Sequence, residues 1–196
     1  SFVLVPMAEL FLSGKHTNLS EDEERAVLAD PVFDVLLYLF VPIQWGLLAL
    51  FLYRISLGGL ATSQLLGYIA TMGILCGVYG INVAHELGHR TKRWERDLAR
   101  ALLLSSLYMH FIIEHNRGHH RRVATPDDPA SARYGETVYA FWFRSIVFSW
   151  RSAWHIEADR LRKGGERPFG AKNEMLHAVV LQGGLLLVIG AFAGAN

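Results

Sequence analysis

Two histidine clusters carry the residue types and spacings most able to do chemistry: His85-Glu86-Leu87-Gly88-His89 and Glu114-His115-Asn116-Arg117-Gly118-His119-His120. His85 and His89 are spaced i, i+4, so on an α-helix both imidazoles leave one face a turn apart. His115 and His119 repeat that spacing and His120 stands beside them, which puts five of the nine histidines in two clusters. Neutral imidazoles arranged this way suit zinc, iron, copper or nickel. The expected metal ligands are therefore His85, His89, His115, His119 and His120.

The first cluster also satisfies the His-Glu-x-x-His pattern of zinc proteases, in which Glu86 would be the general base for a zinc-bound water. One catalytic zinc takes three protein ligands and a water, so five clustered histidines oversupply a single ion. The count favours two metals, or one metal with an incomplete second site. Soluble di-iron carboxylate bundles need two Glu-x-x-His motifs, and here Glu86 and His89 form one. An all-histidine ligand set in a membrane points to a different di-iron class. The single cysteine, Cys76, excludes an intramolecular disulfide and a cysteine-based metal site.

The segments that must position these clusters are long and apolar. Val32–Tyr53 is a 22-residue apolar run, and Leu57–Ala84 carries no formal charge over 28 residues. A bilayer-spanning helix needs only ~20. The link Arg54-Ile55-Ser56 is short enough to force an antiparallel hairpin. Leu176–Ala195 is a third full-length span, and Phe2–Leu12 resembles the tail of a fourth. A chain of 196 residues that starts and stops inside apolar stretches is expected to be an internal portion of a longer one. Ala101–Ile113 is apolar for only 13 residues, too short to cross a hydrocarbon core of ~30 Å. It is expected to return to its own side as a short re-entrant or interfacial helix, turning near Ser105-Ser106. Val138–Trp154, rich in aromatics and interrupted by Arg144 and Arg151, has the composition of a helix lying in the interface. The fold class is thus all-α, a multi-pass transmembrane helical bundle with interfacial helices. The net charge of +1 conceals segregation, with acids at Glu21–Glu24 and Arg and Lys crowding 90–100 and 117–167. The positive-inside rule puts those basic regions, and the histidine clusters, on the cytoplasmic side.

Other residues invite smaller roles. Glu86 and Glu114 each neighbour a ligand and are expected to orient imidazole N–H groups, as carboxylates around metal sites commonly do. His110 stands a helical turn before Glu114 and is expected to support or pack the site. For Asp127 and Asp128, turn capping and support of a ligand compete evenly. Glu9 is an acid within an apolar run. His16, His155 and His177 lack partners at ligand spacing and read as structural. Trp45, Phe51 and the glycines at 67, 73, 77 and 80 could line a substrate channel, although helix packing explains the glycines equally well.

These motifs, extended by Val123-Ala124-Thr125-Pro126-Asp127-Asp128-Pro129-Ala130, resemble the integral-membrane alkane 1-monooxygenases of the AlkB type. That family shares histidine boxes with membrane desaturases and fatty-acid hydroxylases. The boxes match His85-Glu86-Leu87-Gly88-His89-Arg90, where the family commonly has Lys last, and Glu114–His120. The resemblance implies a single transmembrane catalytic domain over 1–196, incomplete at both ends. It also implies two non-haem irons, with the five histidines supplying part of the ligand set and a third histidine box lying beyond 196. The implied reaction inserts one oxygen atom of O2 into the terminal C–H bond of a medium-chain alkane, giving a primary alcohol. The chain has no Gly-rich dinucleotide fingerprint, so electrons must come from elsewhere. The family implies a rubredoxin-type carrier with an NAD(P)H-dependent reductase. Arg90, Lys92, Arg93, Arg121 and Arg122 are the expected docking surface for an acidic carrier. The remaining expectations are a lipid bilayer, specifically the bacterial inner membrane, and no nucleic-acid partner.

Overall fold

The computed structural model describes residues 4–11 and 18–193, and every secondary-structure element among them is helical. His16 lies outside the described residues. By contacts the chain divides into two units, Ser1–Leu36 and Leu37–Asn196.

The first unit holds α1 (Leu4–Glu9) and α2 (Glu21–Leu28). Glu9 is the last residue of α1 and is exposed. The acidic run opens α2 because its negative charges complement the positive end of the helix dipole. Ser20 and Glu23 close a reciprocal capping box there, with the Ser20 N–H donating to Glu23 Oε2 at 2.9 Å.

Three helical stretches are long and apolar enough to cross a membrane: Glu21–Ser56, Thr62–Gly88 and Glu174–Phe192. The first contains α3 (Pro31–Ser56). Arg54-Ile55-Ser56, expected as a link, instead completes α3; the break is Leu57–Ala61, where Gly58 and Gly59 take φ of 65° and 68°. Glycine adopts that left-handed conformation without a Cβ penalty, so it ends the helix. The second stretch runs from α4 (Thr62–Ile74) through a π-helical turn (Leu75–Gly80) into α5 (Ile81–Gly88).

α6 (Arg93–Ser105) begins eight residues before the apolar run that betrays it, because it is amphipathic and buries only Glu95, Ala99, Leu102, Leu103 and Ser105. The chain turns at Ser105-Ser106 as its pattern predicts. Leu107 takes a φ of 54°, and the Tyr108 N–H donates to the Leu103 carbonyl at 2.8 Å, closing a Schellman-type end. The Met109 N–H that this turn leaves free is taken at 2.8 Å by Gln182 Oε1, which gives a polar residue inside an apolar span its task.

α7 (Phe111–Glu114), a second π-helical turn (His115–His119) and α8 (His120–Arg122) follow as one winding segment. The aromatic-rich region forms α9 (Val138–Lys163), capped by Thr137, and α10 (Glu174–Ala193) is the third membrane-length helix. α9 leaves Tyr139, Trp142, Phe143, Phe148 and Trp150 exposed, as an interfacial helix does. One core cluster joins α3, α5, α6 and α10 through Val41, Leu87, Leu102, Leu103 and Ala178. A second joins α7, α9 and α10 through Ile113, Ala153 and Met175.

Candidate metal centre

The first histidine pair stands as its spacing predicts. α5 delivers His85 and His89 from one face, with Nε2 atoms 3.1 Å apart. The second pair also stays together, the His115 and His119 rings stacking with centroids 5.3 Å apart. Its backbone is a π turn, which brings His120 to His115 as well, Nε2 to Nε2 at 2.9 Å. The two pairs converge: donor atoms of His85, His89, His115 and His120 all lie within 4.8 Å of one another. Asn116 ties the segments together, its side-chain amide donating to the Gly88 carbonyl at 3.2 Å.

This donor set fits a metal cation. Two ring nitrogens 2.9–3.1 Å apart face each other across a gap that a single proton, or a cation in its place, can bridge. His115 and His89 are also pushed toward the neutral form, as ligation requires. Burial, and then the neighbouring His85, His120, His119 and His89, press His115 down to about 3. Burial and its histidine neighbours likewise lower His89, against a smaller opposing pull from Glu86.

His119, stacked on His115, is held by an acid. Its Nδ1 meets Asp128 Oδ2 at 2.8 Å, and Asp128 is 1% exposed. Burial opposes charge on Asp128, but hydrogen bonds from Ser131 Oγ (2.5 Å), the Ala130 N–H (3.0 Å) and His119 outweigh it and hold the carboxyl below the usual range. A buried anion on Nδ1 fixes the tautomer and leaves Nε2 as the free donor.

The two glutamates beside ligands have partners other than imidazoles. Glu86 lies half in solvent and pairs with Arg90 at 3.1 Å. Glu114 is buried, which pushes its carboxyl up, while Ser152 and Arg122 counteract at 3.1 and 2.7 Å. Arg122 is thereby turned inward, whereas Lys92, Arg93 and Arg121 are exposed and Arg90 is half-buried. Arg90 shares with His89, His120, Arg96, Arg100 and Arg117 a cleft of about 580 Å³ at the rim of the cluster. His110 is buried and neutral, lowered to about 4 by desolvation, with no partner for Nε2.

Trp45 donates its indole N–H to the Ala101 carbonyl at 3.2 Å and lines an apolar cavity of about 380 Å³ between α3 and α10. Phe51 lies outside that cavity. Of the four glycines, Gly80 is the one where an added Cβ would meet neighbours, Gln44 Nε2 at 3.4 Å and Ser106 Oγ at 3.5 Å. His177 donates its Nε2–H to the Ala171 carbonyl at 2.6 Å, a helix-start contact. Asp127 and His155 line a separate basic cavity of about 440 Å³.

Sequence reasoning missed three supports. Ser131 and Ser152 are ordinary loop and helix serines by pattern, and Glu157 sits in a stretch, Glu157-Ala158-Asp159-Arg160, that reads as a solvated helix face. Glu157 is instead fully buried and accepts from Arg117 at 3.0 Å. Gly118 lies against α9 so closely that a Cβ there would fall 2.8 Å from Ile156 Cδ1, and nearer still to Glu114 and Arg122.

Membrane-length helices that end in converging histidines define a histidine-box membrane protein. The chain belongs to the fatty acid desaturase family, whose model matches residues 59–196. It is 36% identical over 97% of its length to alkane 1-monooxygenase 1 of Alcanivorax borkumensis, covering 47% of that protein. It is 36% identical over 96% of its length to alkane 1-monooxygenase 1 of Pseudomonas aeruginosa, covering 50%. It is also 32% identical over 76% of its length to the xylene/toluene monooxygenase hydroxylase component XylM of Pseudomonas putida, covering 41%. The chain therefore spans about half the length of the curated relatives it matches.

Proposed function

We propose that residues 1–196 form a single transmembrane catalytic domain of a non-haem di-iron monooxygenase that hydroxylates the terminal carbon of medium-chain alkanes to primary alcohols. The observation that carries this reading is the convergence of His85, His89, His115 and His120 within 4.8 Å, beside membrane-length helices, in a chain similar to proteins named alkane 1-monooxygenase. In this reading the four imidazoles hold one iron. His119, with Nδ1 bound to Asp128, offers Nε2 to the second, whose other donors come from outside residues 1–196. When bound, the iron pair supplies the activation of O2.

The chain's own residues bind and orient. Asp128 holds the His119 tautomer, and Glu114 with Arg122 and Ser152 anchors the π turn against α9. An inert, water-insoluble alkane partitions into the bilayer and reaches the site laterally between the spans, the apolar cavity at Trp45 being the best-formed room for it. Electrons arrive from a rubredoxin-type carrier and its NAD(P)H-dependent reductase. The carrier's acidic edge docks on the rim formed by Arg90, Lys92, Arg93 and Arg121, at the cytoplasmic face of the bacterial inner membrane.

The test is iron analysis and turnover of the intact polypeptide in membranes. The reading expects two irons per chain and O2-dependent conversion of a medium-chain alkane to its primary alcohol when carrier and reductase are supplied, with turnover lost and iron content lowered to about one per chain in His119→Ala. Stoichiometric zinc with peptide cleavage dependent on Glu86 would overturn it.

A further inference from the structure

The π turn that pairs His115 with His120 is an uncommon backbone state, so something outside the turn must hold it. Arg117 sits inside it, between the histidines, and its guanidinium reaches away from them. Nη1 donates to Glu157 Oε2 at 3.0 Å and Nη2 to Glu174 Oε1 at 2.8 Å. One fork thereby grips α9 and the first turn of α10 together.

Glu157 is the centre of this arrangement. Its side chain is 0% exposed. Oε1 accepts from Arg160 Nη2 at 2.6 Å and from the Glu174 N–H at 2.8 Å, and Oε2 accepts from Arg160 Nε at 2.8 Å and Arg117 Nη1 at 3.0 Å. A carboxylate offers about four acceptor positions, and all are filled. Burial opposes its charge, yet Arg160, the Glu174 N–H and Arg117 prevail and keep it ionised. A buried carboxylate with every lone pair engaged is fixed in direction, so it fixes Arg117, and Arg117 fixes the turn that carries three histidines.

We infer that Glu157 is a positioning residue for the metal centre, setting the geometry of His115, His119 and His120 through Arg117. This rests on the reading of the histidines as metal ligands. Arg162, on the same helix but paired with Asp159 at the surface at 2.9 Å, touches none of these groups and serves as the control.

The experiment is cobalt(II) titration of the intact polypeptide in detergent, read by the ligand-field absorption bands and by affinity, with thermal unfolding followed in parallel. Glu157→Gln keeps the shape but leaves Arg117 facing a neutral amide. It is expected to shift the cobalt bands and weaken binding by about tenfold, as loss of an outer partner does at metal sites. Arg117→Lys keeps the charge but loses the planar fork that spans Glu157 and Glu174, and is expected to shift the bands the same way; it provides the reading if Glu157→Gln does not fold. Arg162→Gln is expected to keep the parental bands. A merely structural Glu157 would lower the unfolding temperature while leaving bands and affinity parental in the folded protein, and that result overturns the inference. A parental protein that gives no cobalt bands at all would overturn the functional reading itself, and the inference with it.

Discussion

The two histidine boxes share a spacing in sequence and differ in how they are built. His85 and His89 ride on a regular α-helix whose buried face, Ala84, Leu87 and Gly88, packs into the main core. Their one neighbouring acid, Glu86, is at the surface with Arg90. His115–His120 rides on a π turn and is surrounded by buried charge: Glu114, Asp128 and Glu157 are 3%, 1% and 0% exposed. The first box needs only helix periodicity to place its donors. The second needs partners from α9, α10 and the 128–131 loop to hold the π turn that brings His120 to His115. The contrast teaches that identical spacing gives identical geometry only where the backbone stays α-helical.

Replacing a converging histidine should have the largest effect and should not distinguish the boxes. His89→Ala and His120→Ala are each expected to lower metal affinity by well over the ~100-fold upper range for outer partners, measured by metal content after dialysis against a chelator. Asp128→Asn removes the anion that orients His119. Affinity and turnover are expected to fall by about 10–100-fold, with little change in unfolding temperature. No residue of the first box should show a comparable dependence on an outer acid. Gly118→Ala probes the second box through packing. Its Cβ meets Ile156, Glu114 and Arg122, so thermal unfolding should show a destabilisation of about 1–3 kcal/mol. Gly88→Ala, where the nearest atom is Ile112 Cδ1 at 3.4 Å, should be milder.

A pH scan sharpens the contrast further. His110 titrates near 4 in the fold because burial disfavours its charged form, against ~6.5 when unfolded. Between those values the unfolded chain binds the extra proton, so stability falls as pH drops through the window and is unaffected above it. The slope is at most ~1.4 kcal/mol per pH unit. The difference in unfolding free energy between the parental protein and His110→Gln, measured across pH 4 to 7, should carry that slope. The smallest effect belongs to Glu86→Gln, which breaks one partly exposed ion pair and should change stability by less than ~1 kcal/mol. Hydroxylation should persist in that variant, whereas a protease using Glu86 as base would lose its activity.

The legible part of the molecule was the part governed by hydropathy and local spacing. Charge-free runs marked the spans, the aromatic and arginine mixture marked α9, and Ser105-Ser106 marked the return turn. Gly58-Gly59 was equally visible as a breaker, yet hydropathy placed the hairpin link at Arg54–Ser56, where the side-chain pattern changes but the backbone does not. Both π turns were hidden, because Leu75–Gly80 and His115–His119 have side chains that an α-helix would also accept. What selects the π state at His115–His119 is tertiary: the Arg117 grip on Glu157 and Glu174, and the close contact of Gly118 with Ile156. Those partners lie 38–57 residues away in sequence, beyond any periodicity. Asp128 could be nominated because it sits beside the box, whereas Glu157 could not, since an acid followed by arginine in a helix ordinarily faces solvent.

The central claim is that His115 acts with His120, across a π turn, alongside His85 and His89. X-ray absorption at the iron edge, on the intact polypeptide and its His120→Ala and His119→Ala variants loaded with one equivalent of iron, tests it most directly. The account predicts a first shell dominated by imidazole nitrogens, depleted in His120→Ala and retained in His119→Ala. A shell that survives loss of His120 but collapses with loss of His119 would contradict it.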